Sequence, residues 1–180
     1  MRKRDRRSMH TVGVIKDALI ERMQTRAYSD LSVAELCRAA QISRGTFYLH
    51  FQNIAEVLDS VLDDILGELN NPYGTAENGC RLPLCRLIRE HGAYRRILTD
   101  DALTAQIVDR LIALHEAEFL AQMRPRTRLC DAQLRALFCF QLNGCFAVSK
   151  RNLHLNAEEW CAVRAAIDGF IRAGAAEGGK

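Results

Sequence analysis

The chain has 180 residues, enough for one good-sized domain or for a small domain joined to a larger one. It is 48% hydrophobic and 26% charged, which excludes a disordered chain, and no apolar run approaches the roughly 18 residues that a membrane span needs. The net charge of +3 is unevenly spread: residues 1–51 hold ten Lys/Arg against five Asp/Glu, a net of +5, and the remainder is net −2. A basic end on an otherwise balanced chain suits a polyanion.

In chain order, Met1 to Arg7 is a basic stretch with no hydrophobic segment behind it, so a flexible arm over 1–9 and a cytoplasmic protein without a signal peptide are expected. Val12, Ile15, Leu19, Ile20 and Met23 fall at helical spacing and predict a first helix over about 10–26. Tyr28 and Leu31 follow as anchors in a turn. Ser32-Val33-Ala34-Glu35 has the form of a capping box: the Ser oxygen accepts from the third backbone N–H and the Glu reaches back. It opens a short second helix through about Ala40. Gln41-Ile42 breaks that helix, and Ser43 caps a third that carries Gly45, Thr46, Phe47, Tyr48 and His50. Two short helices joined by a tight turn, behind a longer supporting helix, make a helix-turn-helix.

A fourth helix is predicted over 53–70 from Val57, Leu58, Val61, Leu62, Ile65, Leu66 and Leu69, and Asn70-Asn71-Pro72-Tyr73-Gly74 ends it. Residues 71–81 form a loop and the candidate junction. Helices follow over 82–98 (with a break near Gly92), over 101–123 up to Pro125, over 130–151, and over 157–173 behind an Asn156 cap. No strand pattern and no internal repeat is present. The seven cysteines, odd in number and without a C-x-x-C pair, suit small apolar core positions better than disulfides or a metal site.

The start of the third helix has the chemistry for a DNA groove. Ser43-Arg44-Gly45-Thr46 supplies a hydroxyl for phosphate, a guanidinium able to meet guanine, a residue without bulk and a second hydroxyl. Tyr48 and His50 follow on neighbouring faces, while Phe47 and Phe51, four apart, point to the core. The stretch SVAELCRAAQISRGTFYLHF, Ser32 to Phe51, resembles the signature of the TetR/AcrR family of bacterial repressors, and the likeness extends from about Val14 to Leu62. The resemblance implies an all-α fold: an N-terminal three-helix DNA-binding domain (10–52), a linking fourth helix (53–70), and a helical ligand-binding and dimerisation domain (53–175 with the link), before a tail over 176–180. It implies DNA contacts at Ser32, Val33, Arg44, Gly45, Thr46, Tyr48 and His50, which join Ser43 as the expected DNA-binding residues. Two positions depart from the family pattern. Gln41 stands where the family usually has Gly, so a left-handed backbone there carries strain. Asn53-Ile54-Ala55 stands where the family reads Asn-Lys-Glu, and the Lys contact to phosphate is missing.

Partners follow from the same resemblance: duplex DNA at a palindromic operator, a second copy of the chain, and a small-molecule effector that releases a repressor. An effector pocket is expected among Val61, Ile65, Leu84, Ile88, Tyr94, Ile107, Leu111, His115, Phe119, Phe138 and Gln141, with Tyr94, His115 and Gln141 as its polar groups. The dimer is expected through 130–151 and 157–173, on Phe138, Leu142, Cys145, Phe146, Trp160, Val163, Ile167 and Phe170 beside Gly144. No cofactor or metal is expected, and no membrane contact. The chain has no P-loop, G-x-S-x-G, H-E-x-x-H or evident carboxylate pair, so an enzyme is not expected. DNA binding without ligand control, and a family member with weakened DNA binding, are the alternatives.

Overall fold

In the computed structural model the described residues are 3–67, 88–89 and 91–177, and all regular structure among them is helical. The first helix, α1 (Lys3–Met23), is built on Ile15, Ala18, Leu19 and Met23, whose three- and four-residue spacing turns one stripe inward. It starts earlier than the apolar periodicity suggests. Where a flexible arm was expected over 1–9, the helix runs back to Lys3, because no Pro or Gly interrupts that stretch and Arg and Lys are good helix formers. It ends at Met23 rather than at 26, in a turn closed by bonds such as Gln24 N to Glu21 O at 3.1 Å.

A 3-10 turn (Tyr28–Asp30) leads to α2 (Val33–Ala39), α3 (Arg44–Tyr48) and α4 (Ile54–Gly67). The α4 stripe of Val57, Leu58, Val61, Leu62, Ile65 and Leu66 is buried, and α1 packs along α2 and α4. Lys16 on α1 pairs with Asp64 on α4 at 2.7 Å. The predicted loop at 71–81 lies outside the described residues. Helix α5 (Gly92–Thr99) belongs with α1 to α4: it packs on α1, where the Gln24 side-chain amide donates to Ala93 O at 2.7 Å. The chain thus divides into one unit of Met1–Glu68 with Gly92–Asp100 and another of Leu69–His91 with Asp101–Lys180. The sequence-based division instead groups 53–175.

In the second unit, α6 (Thr104–Met123) and α7 (Asp131–Arg151) pack together across a 3-10 turn at Arg124–Arg126. Phe119 stacks on Phe138 with centroids 4.7 Å apart, and Ile107, Val108, Leu111, Leu134, Leu142 and Phe146 are buried. Arg124 grips Asp131 through two bonds of 3.0 and 2.7 Å, holding the turn against the start of α7. The last helix, α8 (Ala157–Glu177), is capped reciprocally by Asn156 and Glu159. Arg89 donates to Asn152 O, which also accepts from Leu155 N, and to Leu155 O, and it lies over the Trp160 ring, so a charged fork ties down the α7–α8 connection.

Candidate nucleic-acid interface

The two short helices are built almost entirely from local chemistry. At the start of α2, Ser32 Oγ accepts from Glu35 N at 3.3 Å and donates to Glu35 Oε2 at 2.8 Å, while Ser32 N donates to the same carboxylate at 3.1 Å. Arg26 pairs with Glu35 and donates to Asp30 O at 3.1 Å. The Ser32 hydroxyl, and after it Arg26, hold the Glu35 carboxyl below the usual carboxylate range. This is the capping box the sequence predicts.

At the other end of α2, Ile42 N donates to Cys37 O at 2.9 Å and Gln41 N to Arg38 O at 3.3 Å. These are the two bonds of a Schellman turn, and the motif needs a left-handed residue at its corner. Gln41 supplies it with φ 53°, the one positive φ at a non-glycine residue among those described. A side chain there costs roughly 1–2 kcal/mol of backbone strain. Gln41→Gly is expected to remove most of that cost, less the added freedom of glycine in the unfolded chain, and to raise the melting temperature by about 2–4 °C for a chain of this size. Gln41→Val should lower it. Thermal melts followed by circular dichroism give the comparison, and a Gly variant that melts earlier would remove the strain argument.

Ser43 caps α3 by accepting from Thr46 N at 3.0 Å, and its hydroxyl also bonds Thr46 Oγ1 at 2.9 Å. Phe47 is fully buried and Phe51 nearly so, their rings 6.1 Å apart. Tyr48 meets the edge of Phe47 at 5.4 Å yet stays 57% exposed. These two phenylalanines fix how α3 is rotated, and the rest of the helix faces out. Ser32, Ser43, Arg44, Gly45 and Tyr48 are exposed, and Val33, Thr46 and His50 are half-buried. Seven of the eight predicted DNA-contact residues therefore lie on α2, α3 or their N-caps, five of them exposed, and His50 follows just past the C-cap of α3. The reading of the two serines changes: both hydroxyls are engaged in capping, so the expected Ser–phosphate contacts would compete with the caps. Leu49, which the sequence reading does not single out, is 80% exposed at the end of α3. Its signal was available, since it lies four residues after Gly45 and two from each core phenylalanine. After α3, Asn53 accepts from Glu56 N at 3.0 Å, and half-buried Ile54 opens α4.

A capped helix, a tight turn and a second capped helix, rotated by two buried rings and braced by α1 and α4, constitute a helix-turn-helix DNA-binding domain. Residues 15–61, from α1 to the middle of α4, match the family described as bacterial regulatory proteins, tetR family. The HTH-type dhaKLM operon transcriptional activator DhaS of Lactococcus lactis subsp. lactis (strain IL1403) is 32% identical over 99 residues, which are 53% of this chain and 53% of that protein. The chain thus matches about half the length of that curated relative. The solved structure of a dihydroxyacetone kinase operon activator DhaS superposes with a TM-score of 0.52 at 18% identity, over 92% of this chain and 96% of that one, a likeness of fold.

The residues expected to line an effector pocket fall in both units. Val61, Ile65 and Tyr94 are in the first. Ile88, Ile107, Leu111, His115, Phe119, Phe138 and Gln141 are in the second, and Leu84 lies outside the described residues. The apolar members in the second unit are buried, and His115 and Gln141 are half-buried. A cleft of about 440 Å³ lies elsewhere, between α1 and the start of α5, lined by Asp17, Ile20, Glu21, Gln24, Gly92, Ala93 and Tyr94. Of the predicted lining it includes Tyr94. Burial pushes the His115 imidazole below its usual value of 6.5, against the opposing pull of Glu118. The unfolded chain therefore binds that proton more readily than the folded one. The stability His115 contributes is complete above pH 6.5 and is lost as the pH falls through its lower folded value. Wild type should lose more melting temperature than His115→Gln between pH 7.5 and 5.5, and equal losses would refute this.

Three of the cysteines expected in the core, Cys130, Cys139 and Cys161, are exposed, whereas Cys37 is buried. A thiol is small enough to sit on an outer helix face at little cost. Among the described residues no helix is long and apolar enough to cross a membrane.

Proposed function

We propose that this protein is a sequence-specific DNA-binding regulator of transcription that binds a palindromic operator as a homodimer and answers to a small-molecule effector in the cytoplasm. The outward face of α3 carries the reading. Arg44, Gly45, Tyr48 and Leu49 are exposed on a helix whose rotation is fixed from behind by Phe47 and Phe51. Arg44 and Thr46 supply donors for base edges or phosphate, Gly45 gives close approach, and Tyr48 and His50 extend the contact along the backbone, with Val33 and the serines at the caps.

The dimer reading is revised in its details. Phe138, Leu142 and Phe146, expected at the interface, are buried because α7 turns that stripe toward α6, and Trp160 on α8 is buried with Arg89 over its ring. The faces left outside are Leu137 and Phe140 beside Gly144 and Ala147 on α7, and Phe170 with Ala162 and Ala166 on α8. A second copy is their proposed occupant. For the effector, the apolar interior around Ile107, Leu111, Phe119 and Phe138 is the proposed pocket, with His115 and Gln141 as its polar groups.

The repressor reading rests on family habit, whereas the relative at 32% identity is named as an activator, which supports activation as a second reading. Fluorescence anisotropy against the DNA flanking the gene tests the proposal. Expected is tight, salt-sensitive binding to one palindrome, with a log–log salt slope of about 0.9 per phosphate neutralised. Equal affinity for every duplex would overturn sequence specificity, and no binding would overturn the proposal. In vitro transcription from that DNA distinguishes repression from activation.

A further inference from the structure

Leu49 is the most exposed large apolar side chain among the described residues, at 80%, and it stands on the helix proposed to meet DNA. Its residue conformation is still helical, φ −75° and ψ −18°, so its direction follows from the helix. At ~100° per residue it is rotated ~200° from Phe47 and as far the other way from Phe51. It therefore points directly away from the two rings that anchor α3. A single exposed leucine is ordinary on a protein surface. This one is set apart by its neighbour one turn earlier on the same face. A Cβ built on Gly45 would meet no atom nearer than Ser43 Oγ at 3.6 Å, so nothing in the folded chain requires glycine there. The outer face of α3 is thus bare at Gly45 and carries an apolar knob at Leu49.

We infer that Leu49 is a specificity residue that packs on the 5-methyl group of a thymine in the major groove. The inference rests on the reading of α3 as the DNA-contacting helix and adds the base it selects. Gly45 lets the helix approach closely, and the thymine methyl is the one apolar group that an unmodified base pair presents in the major groove. Leu49 has no donor or acceptor with which to meet any other base edge. The polar neighbours Arg44 and Tyr48 hold the backbone and the adjacent base, so the leucine acts by excluding water from one methyl.

The test uses the full chain and duplexes selected from a random-sequence library by the wild-type protein. Each thymine of the selected site is replaced in turn by deoxyuridine, which deletes only the methyl. Wild type is expected to lose about fourfold in affinity at one thymine per half-site, the equivalent of one buried methyl group. Leu49→Ala should bind the parent site more weakly and be indifferent to deoxyuridine at that position alone, with an unchanged melting curve because the side chain is exposed. Three results overturn the inference. Wild type could tolerate deoxyuridine everywhere, Leu49→Ala could keep the same sensitivity, or Leu49→Ala could weaken all duplexes evenly, as a contact to sugar would. If the library yields no enriched duplex, the DNA-binding reading itself fails, a result distinct from these three.

Discussion

Gly45→Val is expected to leave the protein folded and to lower operator affinity by more than about 100-fold, equivalent to about 2.7 kcal/mol. The two halves of this expectation come from different observations. Gly45 is the second residue of α3, its φ is not in the left-handed region, and a Cβ there has open space apart from Ser43 Oγ at 3.6 Å. The fold therefore gains nothing from glycine and loses roughly 0.5–1 kcal/mol relative to alanine. Gly45→Ala should accordingly raise the melting temperature by a few degrees while weakening DNA binding. Opposite signs for stability and affinity at one atom are hard to obtain unless the missing Cβ marks a surface that something else must touch. Val makes the clash larger, placing two methyl groups between α3 and the groove, while its helix propensity lies well within the ordinary range. Melting curves together with anisotropy on the selected operator read both halves. A Gly45→Val protein that binds as wild type would move the contact surface off α3.

Much of the reading head is written locally, which is why it was legible. The Ser32–Glu35 box, the Ser43 cap and the Phe47–Phe51 pair are decided within four residues of sequence, and each is present in the structure. The left-handed corner at Gln41 was anticipated only through the family resemblance, which usually has Gly at that position, and the structure gives it a positive φ as the corner of a Schellman turn. What escaped the sequence depends on partners far along the chain. Helix α5 joins α1 through the Gln24 amide and Ala93 O, 69 residues apart, and no local pattern encodes that pairing. The extent of α1 escaped because its first turns have no apolar stripe to mark them.

Helix α7 shows why periodicity alone misassigned the faces of the second unit. It carries two apolar stripes. Leu134, Phe138, Leu142 and Phe146 form one, and Leu137, Phe140, Gly144 and Ala147 form the other. Both have helical spacing, so the pattern fixes that both exist and leaves open which one is interior. The choice is made by α6, which offers Phe119 to Phe138 as a stacked partner. The same ambiguity touches the effector residues. Ile107, Leu111, Phe119 and Phe138 are apolar and inward, which a filled core and a ligand-lined interior share.

The outer stripe of α7 supports the second large expectation: Phe140→Glu should make the protein monomeric and lower affinity for a palindromic operator by about 10²–10⁴-fold. Phe140 is 64% exposed and sits on the side of α7 opposite its buried stripe, so the fold of one chain has little use for it. Gly144 and Ala147 beside it are small enough to let a second helix approach, and a Cβ on Gly144 would meet nothing within 4 Å. Phe170 on α8, 74% exposed, is a further large apolar side chain that the fold of one chain leaves in water. A carboxylate at 140 would be buried without a partner in a dimer, a cost of several kcal/mol that dissociation avoids. In the monomer it remains in water at almost no cost. The DNA consequence follows from linkage between heads. A dimer places its second head near its half-site at an effective concentration in the millimolar range, and a monomer forfeits that gain while keeping its intrinsic half-site affinity. Sedimentation equilibrium of Phe140→Glu should therefore give the mass of one chain. Anisotropy should show affinity for an isolated half-site unchanged and affinity for the full palindrome reduced to nearly the same value. If the variant still sediments as a dimer, the second copy docks elsewhere. If it is monomeric yet binds the palindrome as wild type, dimerisation is not what joins the two heads on DNA.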